Sequence, residues 1–81
     1  MKYLIEWEMK PKYRKESIKA IENFKQPKEI KTVFAAHFCV ASSRGVAVVE
    51  VDDVKFIHKA LSPMLGFVNF KVTPVLPLFD E

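Results

Sequence analysis

The chain has 81 residues and a mass of 9.4 kDa, which gives room for one small domain and excludes a second. Hydrophobic residues make up 49% and charged residues 28%, with 2 Gly and 5 Pro, so disordered, collagenous and low-complexity classes fail. The net charge of +3 is modest, and a domain this small buries only roughly two thirds of the surface its unfolded chain exposes, which makes self-association an early expectation.

Residues 2–9 alternate, with Tyr3, Ile5, Trp7 and Met9 on one face and Leu4, Glu6 and Glu8 on the other, which predicts a first strand. Pro11 ends it, because proline removes a ladder donor and suits the first turn of a helix. A helix is expected over residues 12–25. Its apolar stripe is Tyr13, Ser17, Ala20, Ile21 and Phe24, widened by Ile18, and Pro27 closes it. Residues 30–40 read as a second strand, with Phe34, Ala36 and Phe38 on one side and Val33, Ala35, His37 and Cys39 on the other. The segment 41–45 is a turn by composition, and the β-branched run 46–51 is a third strand joined to the second as a hairpin.

Asp52 and Asp53 offer a helix cap and negative charge at the positive end of a second helix. Val54, Ile57, His58 and Leu61 define one face of that helix, and Ser62 with Pro63 stops it. Residues 66–75 give a fourth strand, with Val68, Phe70 and Val72 on one face and Asn69, Lys71 and Thr73 on the other. Pro74 and Pro77 make the tail a poor ladder member. The order βαββαβ, in one domain over residues 1–81, is that of the ferredoxin-like α+β fold: an antiparallel four-stranded sheet with both helices on one face.

The helices are expected on the more apolar face, formed by Tyr3, Ile5, Trp7, Phe34, Ala36, Phe38, Ala47, Val49, Val51, Val68, Phe70 and Val72. The other face mixes Leu4, Val33, Val46, Val48 and Phe67 with Glu6, His37, Glu50, Asn69 and Lys71. That mixture is too apolar for a solvated face and too polar for a core. Two such sheets packed face to face across a two-fold axis would bury the apolar part and enclose the polar part as a pocket. The expected partner is therefore a second copy, docked through the open sheet face.

The opening Tyr3-Leu4-Ile5-Glu6-Trp7, His37, Gly45, the run Val49-Glu50-Val51-Asp52-Asp53, Pro63 and the closing Phe70-Lys71-Val72-Thr73-Pro74-Val75 resemble a family of small prokaryotic proteins. That family is known only as a domain of unknown function and is similar to a branch of the dimeric α/β-barrel superfamily. The resemblance covers nearly the whole chain. It departs at Met64, where the family often has Trp, and in the hairpin 41–45, which is poorer in glycine. The resemblance implies a ferredoxin-like homodimer, a dimeric α/β barrel, with an enclosed cavity and no stated reaction. Better-known members of the superfamily include cofactor-free monooxygenases and isomerases of small organic compounds.

His37 and Glu50 are the candidate catalytic residues. A hairpin turning at Ser42 and Ser43 puts both on the open face within cross-strand reach, where a carboxylate orients an imidazole for proton transfer. The plainer alternative is a structural pair that satisfies two polar groups in an interface. Glu6, Val48, Asn69 and Lys71 are the candidate ligand-binding residues around them, and the alternative for Glu6, Glu8 and Lys71 is cross-strand ion pairing. His37 with Cys39 lacks further ligands at metal spacing, so no metal is expected. His58 reads as a core-edge residue, and Phe56 as exposed.

No phosphate loop, nucleophile elbow, dinucleotide fingerprint or paired-cysteine motif occurs, so no cofactor is expected. The strand order is also that of RNA-recognition motifs, but Val46, Val48 and Val51 stand where stacking rings are required, and Glu6, Glu8 and Glu50 would repel phosphates. No nucleic-acid partner is expected. Cys39 has no internal disulfide partner, and no charged leader with an apolar run opens the chain. No apolar stretch approaches the roughly 18 residues of a membrane span. The expected location is cytoplasmic, with no membrane partner. The function these features predict is binding of a small, partly apolar organic molecule, with its transformation as a further step; a non-catalytic assembly or regulatory module is the alternative.

Overall fold

A computed structural model describes residues 1–79. Strands β1 (Lys2–Met9), β2 (Lys31–Phe38), β3 (Arg44–Glu50) and β4 (Val68–Val75) alternate with helices α1 (Arg14–Glu22) and α2 (Lys55–Leu61) in the order β1-α1-β2-β3-α2-β4. They form one antiparallel sheet of order β2-β3-β1-β4. This is the ferredoxin-like α+β arrangement, with β1 and β3 central and β2 and β4 at the edges.

The alternation in β1 and β3 selects the buried face. Ile5, Met9, Ala47 and Val49 are buried, whereas Glu6, Glu8 and Glu50 are exposed. Ile5, Ile30, Val49, Val51 and Ile57 make the centre of the core, with Trp7, Ala60, Leu61, Phe70 and Val72 packed around them. Ile57 on α2 shares a cavity with Ile21 on α1, with Phe24 just after that helix and with inner-face strand residues, so both helices cover the same side. The shortest dimension, 16 Å, accommodates one sheet and one helical layer, and the other sheet face is bare.

The helices are shorter than the periodicity predicts. Pro11 opens a 3-10 turn (Pro11–Tyr13) before α1, and α1 ends at Glu22 with Asn23 as its C-cap, several residues before Pro27. The chain then runs irregularly until a turn in which the Ile30 amide donates to the Pro27 carbonyl at 3.1 Å. Ser17 anchors α1. It is completely buried, and its Oγ donates to the Phe67 carbonyl at 2.9 Å, while Tyr13 tilts against the Phe67 ring.

Ahead of α2 the Asp53 carboxylate accepts from the Lys55 amide at 2.9 Å, but the N-cap is Val54, one residue later than expected, and it makes no side-chain cap bond. The buried face is Ile57 with Ala60 and Leu61; Val54 and His58 are exposed. Ser62 and Pro63 continue the chain into a 3-10 turn (Ser62–Met64) instead of stopping it, because proline fits the first turn of such a helix. Pro74 joins the ladder opposite Tyr3, which an edge strand tolerates.

Strand β2 departs most from expectation. Every residue in it is exposed, including Phe34 at 46% and Phe38 at 59%. Helices of nine and seven residues do not reach over this edge. Its pairing with β3 also slips twice, between Thr32 and Phe34 and between Phe34 and His37, so the strict alternation assumed for it does not hold.

Candidate functional site

The residues singled out on the open face are spread across it. His37 lies opposite Val46, Val46 opposite Glu6, and Glu6 opposite Lys71, so His37, Glu6 and Lys71 share one row across the sheet. Glu8 and Asn69 face each other at one end, and Val48 lies opposite Leu4 in the middle. Glu50 stands at the other end, between Lys2 and Lys31. Val46 and Glu50 are four residues apart on β3, so His37 and Glu50 are separated by about 13 Å along the strand. The expected imidazole–carboxylate pair within one chain is not formed. The hairpin register is the cause: next to the turn Phe38 pairs with Gly45 and His37 with Val46, four residues short of Glu50, and the slips in β2 lie beyond His37 and set only that Glu50 faces Lys31.

His37 has other partners. Its ring stacks on Phe34, with centroids 4.5 Å apart and planes 15° from parallel. Its Nδ1 lies 2.5 Å from the Ala35 carbonyl, which can only accept, so Nδ1 carries the proton. The one ion pair among the described residues, Arg44 Nε to Glu8 at 3.5 Å, is exposed on both sides. Among the described residues no cluster of three or more His, Cys, Asp or Glu side chains could hold a metal. No helix among them is long and apolar enough to cross a membrane.

A half-open space lies on the opposite side of the sheet, under the helices. It is a cavity of about 130 Å³. Its floor is Ile5, Trp7, Ala47, Val49 and Phe70 on the sheet; its roof is Ile21, Ile57, Ala60, Leu61 and Met64. Phe24, Gln26, Ile30, Thr32, Phe34 and Ala36 form the remaining wall. Of these six, all but Ile30 are exposed, so the cavity opens between the segment after α1 and the edge of β2. None of Glu6, His37, Val48, Glu50, Asn69 and Lys71 lines it, although His37 touches its rim through Phe34.

The cavity has a cause in the sequence. Ala36, Ala47 and Ala60 are small side chains at inward positions among large ones, and the irregular segment after Glu22 leaves that side of the helical layer thin. The alanines were the available signal, but periodicity assigns them only to a face and does not show that their spare volume coincides.

Polar atoms are few. Gln26 Nε2 donates to the Ile30 carbonyl at 2.7 Å and to Thr32 Oγ1 at 3.0 Å, tying the segment after α1 to β2 at the mouth. Trp7 Nε1 is buried without a hydrogen-bond partner, held against the backbone of Gly45. No lining side chain is an acid, a base, a histidine or a cysteine.

No curated protein matches this chain. The model of one family, described as Domain of unknown function (DUF3303), matches residues 1–80, essentially the full length of the domain just described. The chain is a member of the DUF3303 family of domains of unknown function.

Proposed function

We propose that this protein binds a small, predominantly apolar organic molecule in the cavity between the sheet and its helices, and that it works as a homodimer. The cavity carries the reading. Protein interiors leave few voids larger than a water molecule, and an apolar cavity of roughly 150 Å³ in another protein takes up benzene. A space of about 130 Å³ with apolar walls therefore suits a guest about the size of one six-membered ring. Because no lining side chain can exchange a proton near neutral pH, these residues support holding and orienting a guest more than acid–base chemistry upon it. Any transformation of the kind seen in cofactor-free monooxygenases or isomerases would draw its reactivity from the guest itself.

Support for a dimer comes from the surface. The chain exposes 6268 Å². A folded monomer of its mass exposes about 5,000 Å². The excess includes Val33, Phe38 and Val40 at the β2 edge and Leu76, Leu78 and Phe79 in the tail. The half-buried Leu4, Val46 and Val48 on the bare sheet face fit packing against a second sheet, as in the dimeric α/β barrels the sequence resembles. In such a dimer Glu6, His37, Val48, Glu50, Asn69 and Lys71 line the interface, and the ligand cavity opens elsewhere.

The test uses toluene as the probe and Trp7, the one tryptophan, as the fluorescent reporter. Saturable quenching or enhancement in the wild type, lost in Ala60→Leu with the fold intact, is the expected result. Absence of any saturable response would overturn the ligand reading. If light scattering then still showed a dimer that persists on dilution, a non-catalytic assembly module would take its place. A monomer at all concentrations would overturn the dimer.

A further inference from the structure

The hydrogen-bonding capacity left at the cavity mouth says more about the guest. We infer that the ligand is an uncharged, ring-sized hydroxyl compound, with its body inside and its hydroxyl group donating to Gln26 Oε1 at the mouth. This rests on the cavity reading above.

Three observations carry it. First, no charged side chain lines the cavity, and its floor and roof are apolar, so an ionic guest would lose its hydration without compensation. Second, the side-chain donors at the mouth are used. The Ile30 carbonyl can only accept, which fixes the amide orientation: Gln26 Nε2 faces that carbonyl at 2.7 Å and spends its other hydrogen on Thr32 Oγ1 at 3.0 Å. The Thr32 hydroxyl in turn faces Gln26 Oε1 at 3.4 Å. An amide oxygen has two lone pairs, so Oε1 retains acceptor capacity while Nε2 has no hydrogen left to give. Third, the remaining unpaired donor among the lining side chains, Trp7 Nε1, is sealed against Gly45 and out of a guest's reach. A guest that offers a hydrogen is satisfied at the mouth. One that only accepts finds no side-chain donor of the protein there unless it breaks the Gln26 clasp.

Cyclohexanol and cyclohexanone have nearly the same size and differ in this respect. With affinities corrected for water–octanol partitioning, cyclohexanol should bind roughly three- to tenfold more tightly, the value of one net hydrogen bond. The preference, read as the ratio of the two affinities within one variant, should vanish in Gln26→Leu. Cyclohexylammonium should bind at least about tenfold more weakly than cyclohexanol. If toluene binds but cyclohexanone equals or exceeds cyclohexanol, or the charged amine binds as well as the alcohol, the inference falls and the cavity reading stands. If neither toluene nor any of the others binds, both fall. The wild-type comparison stands alone should Gln26→Leu not fold.

Discussion

The indole of Trp7 lies directly over the backbone of Gly45, its partner across β1 and β3. A Cβ built on Gly45 would overlap the Cε2 and Cζ2 atoms of the ring. The glycine is there to let the ring approach, and the ring in turn forms part of the cavity floor. Gly45→Ala should cost about 1–3 kcal/mol through overpacking and disturb the cavity. A urea titration checks this: a lowered midpoint with an unchanged slope is expected, and an unchanged midpoint would contradict the contact.

Ser17 should be the costliest polar position on α1. Its hydroxyl is fully buried and satisfies the Phe67 carbonyl just before β4. Ser17→Ala leaves that carbonyl with the Lys10 amide, at 3.0 Å, as its remaining donor and should destabilise by about 0.5–1.5 kcal/mol, the value of one net hydrogen bond. Ser17→Thr, which keeps the hydroxyl, should recover the part due to the hydrogen bond to the extent that its extra methyl group fits. Thermal unfolding of both variants measures the difference.

Ala41 has φ of 56° in the β2–β3 hairpin, a left-handed conformation that costs a residue with a Cβ about 1–2 kcal/mol. Ala41→Gly removes that cost but gives the unfolded chain more freedom, worth roughly 0.5–1 kcal/mol in the opposite direction. The net expectation is stabilisation of up to about 1 kcal/mol, read as a rise in the unfolding midpoint. A fall would contradict the hairpin geometry.

His37 and Glu50 should behave as independent positions. In a double-mutant cycle of His37→Ala and Glu50→Gln, stabilities should add within about 0.5 kcal/mol, as for sites without shared partners. If the two residues met across a dimer interface, the coupling would appear only in the dimer and vary with protein concentration. A coupling above about 1 kcal/mol in a monomer would contradict the β2–β3 register.

What the sequence made legible, and what it hid, follows from the same contacts. Strands β1, β3 and β4 announce themselves because one of their faces meets the helices, so side-chain period and burial coincide at Ile5, Ala47, Val49 and Val68. In β2 neither face is buried, and nothing in the alternation of Phe34, Ala36 and Phe38 reveals either the two slips or the hairpin register that sets His37 opposite Val46, four residues from Glu50. The apolar stripe of α1 was correct at Ser17 and Ile21 but ran too far, because Phe24 continues the period after the helix has ended. Phe24 then becomes a wall of the cavity, a role periodicity alone does not distinguish from core. A cavity is a deficit of volume shared among distant alanines, and a linear pattern carries no record of that.

The central claim is that a guest sits under the helices and not on the bare sheet face. Side-chain methyl chemical shifts during a toluene titration locate it most directly, because methyl groups alternate between the two sheet faces. The account predicts saturable shifts at Ile5, Ile57, Ala60 and Leu61, with Leu4, Val46 and Val48 unmoved. Shifts confined to the latter three residues, or none at saturating toluene, would contradict it.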